Sequence, residues 1–469
     1  MRVEAICRKI IKKVTPTQLE KDNIYKIANC IKDKVKSKAD EFVSNIQVTI
    51  GGSVAKDTWL KNEADIDVFM LFPVTTDKKN LEKIGLKIAE DAMKNYRRSK
   101  RYADHPYLES CVNDVRINIV PCFKVDQMKW LSAADRTPFH TKYIKKKLLK
   151  KDLRNDIRLL KAFMRGIGVY GAEIKIGGFS GYLCELIVLS YQSFMQSLKM
   201  ASEWKLQEVI DIENLHKGRL NEVKRFFNAP LIVVDPVDAN RNVAAAVSEQ
   251  SLGEFIMASK YFLENPQLSF FQEQESIPIS IPLFKKKLKK LNFDLVSIVF
   301  EGDESIPDIL WGQLYKSMKA IRKTLIQNDF NVLKGSSWSD ERKNNVMIFA
   351  LETSILPPSK RRIGPHFDSK DAIDFLAKHV GKDMTIGPWI ENKRWVIGVK
   401  RKYTDAVSLL REKLKNGGND IGIARRLIEK IRSSHKILVN EEIIDLYSSN
   451  EQLKTFLIKF LDKKLKWMP

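Results

Sequence analysis

The chain has 469 residues, of which 44% are hydrophobic and 30% are charged, a composition that predicts several folded domains with apolar cores. It lacks the run of about 18 apolar residues that a membrane-spanning helix needs, and its charged first residues argue against a signal peptide. The 81 Lys and Arg residues outnumber the 58 Asp and Glu residues, and the net charge of +23 predicts a polyanionic partner, either nucleic acid or an anionic membrane surface.

The first 140 residues alternate between helix and strand patterns. The spacing of Thr17 and Glu20 is typical of a capping box, and aliphatic residues at helical spacing follow it. Asn113-Asp114 is typical of a hairpin turn between two strands. In chain order the patterns predict a helix over about 17–44, a strand over 46–50, a short helix over 54–60, a strand over 65–72, a helix over 77–99 and hairpin strands over 109–112 and 116–121.

From about residue 141 the patterns are mostly helical, until the Glu-Asn-Pro sequence at 264–266 interrupts them. Mixed strand and helix signals follow, including a hairpin predicted over 389–400 with its turn at 391–393. The predicted helices lie over 153–167, 181–200, 204–228 and 249–264, and amphipathic helices are predicted over about 404–469.

The strongest chemical signal is Gly52-Ser53, followed twelve residues after Ser53 by Asp65-Ile66-Asp67. Glycine permits a tight turn and close approach of a ligand to the backbone, and the Ser53 hydroxyl can donate to a phosphate. Side chains at i and i+2 of a strand share one face, so Asp65 and Asp67 point to the same side. Two such carboxylates attract Mg²⁺, which prefers oxygen ligands and substrate phosphates. The pattern therefore predicts a metal site that clamps a triphosphate and activates an attacking 3′-hydroxyl.

Further motifs follow this one in order along the chain. The set comprises residues 52–61, 65–69, 120–122, 135–140, 158–161, 169–173, 178–185, 234–236 and 241–245. Together these motifs resemble the archaeal, class I CCA-adding enzymes, which are tRNA nucleotidyltransferases. The glycine-serine turn and the two aspartates are shared by the whole polymerase-β-like superfamily, whereas 135–140, 169–173 and 178–185 are far more specific. Beyond residue 270 the likeness is looser.

The resemblance implies an α+β multidomain fold. A polymerase-β-like nucleotidyltransferase head is expected over 1–140, a helical neck with the nucleotide-base pocket over 141–265, and an α/β body with a helical tail over 266–469. The implied activity is template-independent addition and repair of the 3′-terminal CCA of tRNA from CTP and ATP, with Mg²⁺ as cofactor. Because the family is commonly dimeric, a homodimer is also expected.

The resemblance also implies which residues form the site, position by position. The catalytic metal ligands are Asp65 and Asp67, and the nucleotide-contacting residues are Ser53, Lys56, His140, Lys161, Tyr170 and Arg241. Ser53 and Lys56 match the pair that contacts the phosphates, although the family usually has Arg at the second position, and Lys lacks the bidentate fork of Arg. The neighbourhood of Tyr170 is implied to stack the incoming base. Arg241 matches the arginine that helps to distinguish C and A from other bases.

The residue types alone leave structural alternatives open at three of these positions. His140 is equally consistent with a buried core or capping histidine, and Tyr170 with a core aromatic residue. Lys161 is consistent with a solvated helix lysine, although the apolar residues on both sides of it weaken that interpretation.

One position departs from the family pattern. The family has a third carboxylate on the strand before 120–122, and the matching residue here is Asn118. Its parity is right, since Ile117 and Ile119 form the apolar face of the predicted strand. Asparagine offers an oxygen but no charge, and loss of such a ligand lowers a rate by roughly two to four decades. Asp114 has the same parity but lies about 13 Å away along the strand, so it is interpreted as a turn residue.

Two alternatives to CCA addition remain open on the sequence. Another RNA-tailing nucleotidyltransferase, of the poly(A) polymerase type, would share the glycine-serine turn and the aspartates, but the motifs at 135–140 and 178–185 favour the CCA class. A catalytically weakened tRNA-binding homologue is motivated by Asn118.

The basic runs at 145–151, 285–290 and 361–362 are candidate phosphate contacts, which predicts salt-dependent binding of an RNA backbone. The resemblance implies that the acceptor stem and TΨC arm of tRNA are recognised mostly by shape. No membrane partner is expected. The five cysteines are odd in number, widely spaced and without a CxxC pair, so a reducing, cytoplasmic location without disulfides or structural zinc is expected.

Overall fold

The computed structural model describes residues 3–43, 45–102, 106–272, 277–462, 465 and 467–468. The chain divides into two compact units, Met1–Gln274 with Lys464–Pro469 and Glu275–Lys463. The finer division at about 140 and 265 stays a prediction. Within the described ranges, every helix is too short or too polar to cross a membrane.

The first unit combines a mixed sheet with a helical region. Its helices are α1 (Val3–Val14), α2 (Gln18–Phe42), α3 (Gly52–Lys56), α4 (Lys78–Ala92), α5 (Thr137–Lys150), α6 (Arg154–Gly166), α7 (Gly181–Tyr191), α8 (Phe194–Ser202), α9 (Leu220–Phe227) and α10 (Glu249–Glu264). Its strands are β1 (Gln47–Gly51), β2 (Asp65–Pro73), β3 (Arg98–Tyr102), β4 (Pro106–Val112), β5 (Val115–Lys124), β6 (Glu208–Ile210), β7 (Leu231–Asp235) and β8 (Asp238–Asn242).

A five-stranded sheet in the order β1-β2-β5-β4-β3 forms the first part of this unit. β2 and β5 pair in parallel, with Asp67 opposite Asn118, whereas the other neighbouring strands are antiparallel. Ile66, Ile117 and Ile119 are fully buried against α2 and α4, and each contributes about 2 kcal/mol of hydrophobic stabilisation. Because side chains alternate along a strand, the opposite face of β2 and β5 carries the polar residues.

The remainder of the first unit is a helical core rich in aromatic side chains. Phe163 on α6 is fully buried, and its ring centroid lies between 5.5 and 6.4 Å from those of Phe194, Phe255, Phe262 and Phe270. Most of α7 is buried in the same core. A small sheet in the order β6-β7-β8 contains the fully buried strand β7. Dense packing therefore fixes α6, α7 and β7, which bear site residues.

The second unit contains two further sheets. Its helices are α11 (Ile281–Lys289), α12 (Pro307–Gln327), α13 (Ala372–His379), α14 (Ala406–Leu414), α15 (Arg425–Ser434), α16 (Ile444–Ser449) and α17 (Glu451–Leu461). Its strands are β9 (Asp294–Glu301), β10 (Val332–Ser339), β11 (Asn344–Leu351), β12 (Ser359–His366), β13 (Met384–Glu391), β14 (Arg394–Lys400) and β15 (Lys436–Val439).

The larger sheet of this unit, in the order β10-β11-β9-β15, has helices on both faces. On β11, Met347 and Phe349 pack with α12, α14 and α15, whereas Val346 and Ile348 pack with α11, α16 and α17. The smaller sheet has the order β12-β14-β13. This α/β arrangement agrees with the body expected from the sequence.

Most of the predicted elements are confirmed. The helix at 17–44, the strands at 46–50 and 65–72, the two hairpins and the helices at 153–167 and 249–264 are found within one or two residues at most of their ends. The short helix predicted at 54–60 is α3, which begins at Gly52 and ends at Lys56.

Several predicted helices are wrong in extent. The helix at 77–99 ends at Ala92, and 98–102 is an edge strand, where long cationic side chains are common. The helix at 181–200 breaks at Gln192, whose φ is 66°, and Ser193 caps a second helix. Only Leu220–Phe227 of the predicted 204–228 helix is helical, because 208–210 pairs with β7. The C-terminal helices over 404–469 are interrupted by β15.

Candidate active site

Asp65 and Asp67, called here the carboxylate pair, lie on one face of β2 and meet donors from β5. Arg116 donates from Nε to Asp65 Oδ1 at 2.9 Å and from Nη2 to Oδ2 at 2.7 Å. Asn118 donates from Nδ2 to Asp67 Oδ1 at 2.9 Å. Burial raises the pKa of Asp67, and the hydrogen bond from Asn118 opposes that rise. The parallel register thus gives each carboxylate a compensating donor one strand away.

The carboxylate pair fits a divalent cation by the chemistry of its donors. Its four oxygens are hard ligands of the kind that Mg²⁺ prefers. The Arg116 guanidinium already balances part of the negative charge of Asp65. In the part of the chain that the structure describes, no group of three or more His, Cys, Asp and Glu side chains is arranged to hold a metal. A cation bound here would therefore take its remaining ligands from substrate phosphates and water, as Mg²⁺ commonly does.

The turn before α3 is tightly matched to Asp67. Gly52 has a φ of 65°, in the left-handed region that favours glycine. A Cβ atom added to Gly52 would overlap Oδ2 of Asp67. Ser53, the next residue, lies half-buried in the first turn of α3. The backbone can thus approach Asp67 this closely only because residue 52 has no side chain, and Ser53 follows directly.

Lys56 and Lys161, called here the lysine pair, share the carboxylate of Glu185. Lys56 Nζ lies 2.5 Å from Oε2 of Glu185, and Lys161 Nζ lies 3.4 Å from Oε1. Thr58 also donates to Oε1, at 2.6 Å. Burial alone would raise the pKa of Glu185, but the two ammonium groups outweigh it and lower that pKa. Glu185 is therefore ionised beside Lys56, whereas burial lowers the pKa of Lys161 against the effect of Glu185.

Tyr170 lies next to the lysine pair. A Cβ atom on Gly181, at the start of α7, would lie 3.1 Å from Oη of Tyr170 and 3.6 Å from Nζ of Lys161. Burial raises the pKa of Tyr170, so its hydroxyl stays protonated. The two side chains therefore reach the same point, where residue 181 leaves room for them.

Asp235 joins two other predicted site residues. Its Oδ2 lies 2.8 Å from both Nε2 of His140 and Nη1 of Arg241. The Tyr182 hydroxyl donates to Oδ1 at 3.2 Å, and its ring stacks on His140 with centroids 4.2 Å apart. Burial lowers the pKa of His140, against the effect of Asp235. Because an ionised carboxylate only accepts, the neutral His140 donates from Nε2 and leaves Nδ1 as an acceptor.

These groups adjoin one another around Lys56. Its charge opposes the rise in the pKa of Asp67 and adds to the effect of burial in lowering the pKa of His140. Its ammonium lies 5.6 Å from the Tyr182 ring centroid. All the predicted catalytic and nucleotide-contacting residues lie in the first unit. The structure thus connects the carboxylate pair to the lysine pair and to the groups around Asp235.

Four residues with clear roles in this arrangement were not singled out from the sequence: Arg116, Tyr182, Glu185 and Asp235. Glu185 and Asp235 carried a usable signal, since each is an acidic residue within or at the end of an apolar run. Such residues are rarely buried unless they are paired. For Arg116, the only signal in the sequence was its position two residues before Asn118, which places both on the same face of the predicted strand.

Comparisons with known proteins cover nearly the whole chain. A family model for the nucleotidyltransferase domain matches residues 26–151, one for the second domain of tRNA nucleotidyltransferase matches 155–272, and one for the C-terminal domain of CCA-adding enzyme matches 293–440. The chain is 36% identical to a CCA-adding enzyme of Methanosarcina mazei, over 96% of this chain and 97% of that protein. It is 35% identical to one of Pyrobaculum islandicum, over 90% and 96%, and 37% identical to one of Saccharolobus shibatae, over 80% and 85%.

Proposed function

The chain belongs to the family of archaeal CCA-adding enzymes, and on that premise we propose that the carboxylate pair is its catalytic centre. The protein is a tRNA nucleotidyltransferase that adds CCA to tRNA from nucleoside triphosphates. The observation that supports the site is the placement of Asp65 and Asp67 on one strand face against the Gly52 turn. Neither alternative function is favoured by relatives that match the chain almost end to end.

Enzymes of this family generally use a divalent metal. The proposed ion here is Mg²⁺, with Asp65 and Asp67 as protein ligands and the Asn118 oxygen as a neutral neighbour. When bound, the ion supplies positive charge to the triphosphate and to the attacking 3′-hydroxyl. Arg116 donates one hydrogen bond to each oxygen of Asp65, so a bound ion would share these oxygens with the guanidinium.

The nucleotide is proposed to extend from the carboxylate pair toward Asp235. Ser53 and Lys56 would contact the phosphates, with Lys161 and Tyr170 beside them. His140 and Arg241 would contact the incoming CTP or ATP, and Asp235 supports both because it fixes the orientation of each side chain at 2.8 Å. Arg241 is 38% exposed, so its remaining donors are free to reach a base.

The tRNA is proposed to bind through its acceptor stem and TΨC arm. The basic runs support this, because most of their charged side chains, including Lys145, Lys146, Lys285, Lys286 and Arg361, are exposed. Phosphate contacts of this kind hold an RNA without reading its sequence. A homodimer and a cytoplasmic location complete the proposal, the latter supported by cysteines that are all free thiols.

The activity test uses a tRNA transcript that ends at the discriminator base. With CTP, ATP and Mg²⁺, the wild-type chain should extend it by three nucleotides, C, C and A. With CTP alone the product should stop after two nucleotides. Long adenosine tracts made from ATP alone would instead indicate a poly(A) polymerase, and no extension at any pH would favour a protein that only binds tRNA.

Replacing Asn118 with aspartate tests the third ligand. The variant should leave tRNA affinity unchanged and should not lower the rate at saturating Mg²⁺, because a third carboxylate beside the pair adds a ligand. The Mg²⁺ concentration that gives the half-maximal rate should fall. Without metal, the free energy of unfolding should fall by at least about 2 kcal/mol, because the Asn118 hydrogen bond to a charged acceptor is lost and two carboxylates then lie side by side.

The matched control is Asn113→Asp in the exposed turn between β4 and β5. It should change neither the Mg²⁺ concentration that gives the half-maximal rate nor the free energy of unfolding. A large loss of activity in Asn118→Asp, with normal tRNA binding, would show that the amide of Asn118 has a role of its own.

A further inference from the structure

Glu185 is a buried carboxylate on a helix that otherwise belongs to the apolar core. Its side chain is 1% exposed, and Leu183, Leu186 and Ile187 around it are fully buried or nearly so. An ionised group in such surroundings costs several kcal/mol unless it is paired, and apolar replacements of buried ion pairs are often as stable. Stability alone therefore gives little reason for a carboxylate at this position.

The contacts of Glu185 connect three separate elements. It lies on α7, Lys56 lies at the end of α3, and Lys161 lies on α6. Its Oε2 lies 2.5 Å from Lys56, while Oε1 accepts from Thr58 at 2.6 Å and lies 3.4 Å from Lys161. α3 also bears Ser53. A single carboxylate thus orients the end of the helix that starts at the Gly52 turn.

The two lysines make unequal contacts with Glu185. Both side chains are almost inaccessible to water, at 6% and 1% exposure, and burial lowers the pKa of Lys161. Lys161 also donates to the Thr58 carbonyl at 3.0 Å, whereas Lys56 has Glu185 as its acceptor. Lys56 therefore depends on Glu185 for its position, and its charge also acts on Asp67 of the carboxylate pair.

We propose that Glu185 is a positioning residue for the phosphates of the incoming nucleotide: it holds the lysine pair beside the carboxylate pair, so that Lys56 is placed to meet the triphosphate. This rests on the proposed phosphate contact of Lys56. Glu185 acts through the lysines and does not touch the nucleotide. The affinity for CTP and ATP therefore depends on its charge.

The test compares Glu185→Gln, which keeps the shape of the side chain, with Glu185→Asp, which keeps its charge. The KM for CTP and ATP should rise at least ten-fold in Glu185→Gln, with kcat within about five-fold of wild type and with unchanged tRNA affinity. Glu185→Asp should retain the lower KM of the two variants. Glu249→Gln, at an exposed position at the start of α10, is the control and should match wild type.

The relative KM values of the two variants distinguish a positioning role of Glu185 from a purely structural one. If Glu185 only fills space in the core, the isosteric Gln variant should have the more normal KM and the higher melting temperature, and Asp should be worse. That order, or an unchanged KM in Glu185→Gln, would overturn the proposal. Wild-type protein that fails to extend tRNA would instead refute the proposed function.

A double-mutant cycle between Lys56 and Glu185 provides a second test if Glu185→Asp proves too unstable to compare. Lys56→Gln should raise the KM for CTP, and adding Glu185→Gln to it should raise the KM little further, because the carboxylate acts through that lysine. Fully multiplicative effects on KM would show that Glu185 acts independently of Lys56. Binding of CTP without tRNA, measured by calorimetry, provides the same comparison without turnover.

Discussion

Asp67→Asn should lower kcat/KM for nucleotide addition by at least about 1,000-fold, or about 4 kcal/mol of transition-state stabilisation. Asp67 lies at the centre of the site, with Asn118 on one side and Gly52 against its Oδ2 atom. The substitution preserves volume but removes the charge that would hold a divalent ion. Initial rates of CTP incorporation into a tRNA that lacks CCA measure the loss.

The free energy of unfolding of Asp67→Asn shows whether a loss of activity comes from the missing carboxylate or from unfolding of the protein. Since burial already raises the pKa of Asp67, a neutral amide there avoids part of the desolvation penalty. The free energy of unfolding without metal should therefore stay within about 1 kcal/mol of wild type. Asp114→Asn, in the exposed hairpin turn, should retain full activity. Activity of Asp67→Asn within ten-fold of wild type would rule out Asp67 as a catalytic metal ligand.

Gly52→Ala should reduce activity by at least about 100-fold, or about 3 kcal/mol. Two effects combine at this position. A φ of 65° is unfavourable for alanine by about 1–2 kcal/mol, and the new Cβ would displace the Asp67 carboxylate. Rates measured at raised Mg²⁺ should recover only in part, because the displaced ligand is not restored by more metal.

Gly218→Ala is the matched control for backbone strain. Gly218 also has a positive φ, of 78°, but a Cβ there would meet no atom within 4 Å. The control should lose stability by about 1–2 kcal/mol and keep its activity. If Gly52→Ala is no less active than Gly218→Ala, the turn is not coupled to the carboxylate as the geometry indicates.

Local patterns were enough to predict the elements that bear the carboxylate pair. The alternation of Asp65, Ile66 and Asp67 sets the two faces of β2, and the same alternation gave Asn118 its correct side of β5. The hairpin between β4 and β5 followed from its turn residues. These features depend on residues that are close together in the sequence, and they can therefore be predicted from it.

The missed features depend on partners far away in the chain. Lys56 is 129 residues from Glu185, and His140 is 95 residues from Asp235. Hydrophobic periodicity along the sequence contains no information about such distant pairs. The strand at 208–210 was missed for the same reason, since it exists through its pairing with β7. The apolar neighbours of Lys161 weakened its interpretation as a solvated helix lysine, and the structure shows that it is buried, with Glu185 as a distant partner.

The parallel ladder between β2 and β5 also limits how this protein can change in length. Asp65 pairs with Arg116 and Asp67 with Asn118 without any bulge, so a one-residue insertion or deletion within either strand would turn alternate side chains to the other face. The carboxylates would then enter the apolar layer beneath the sheet, and isoleucines would replace them at the surface. The two-residue turn Asn113-Asp114 is under the same constraint, because Val112 pairs directly with Val115 across it and the length of the turn sets the register of β4 on β5. Substitutions can tune this ladder, whereas changes in length have to fall outside the paired strands and this turn.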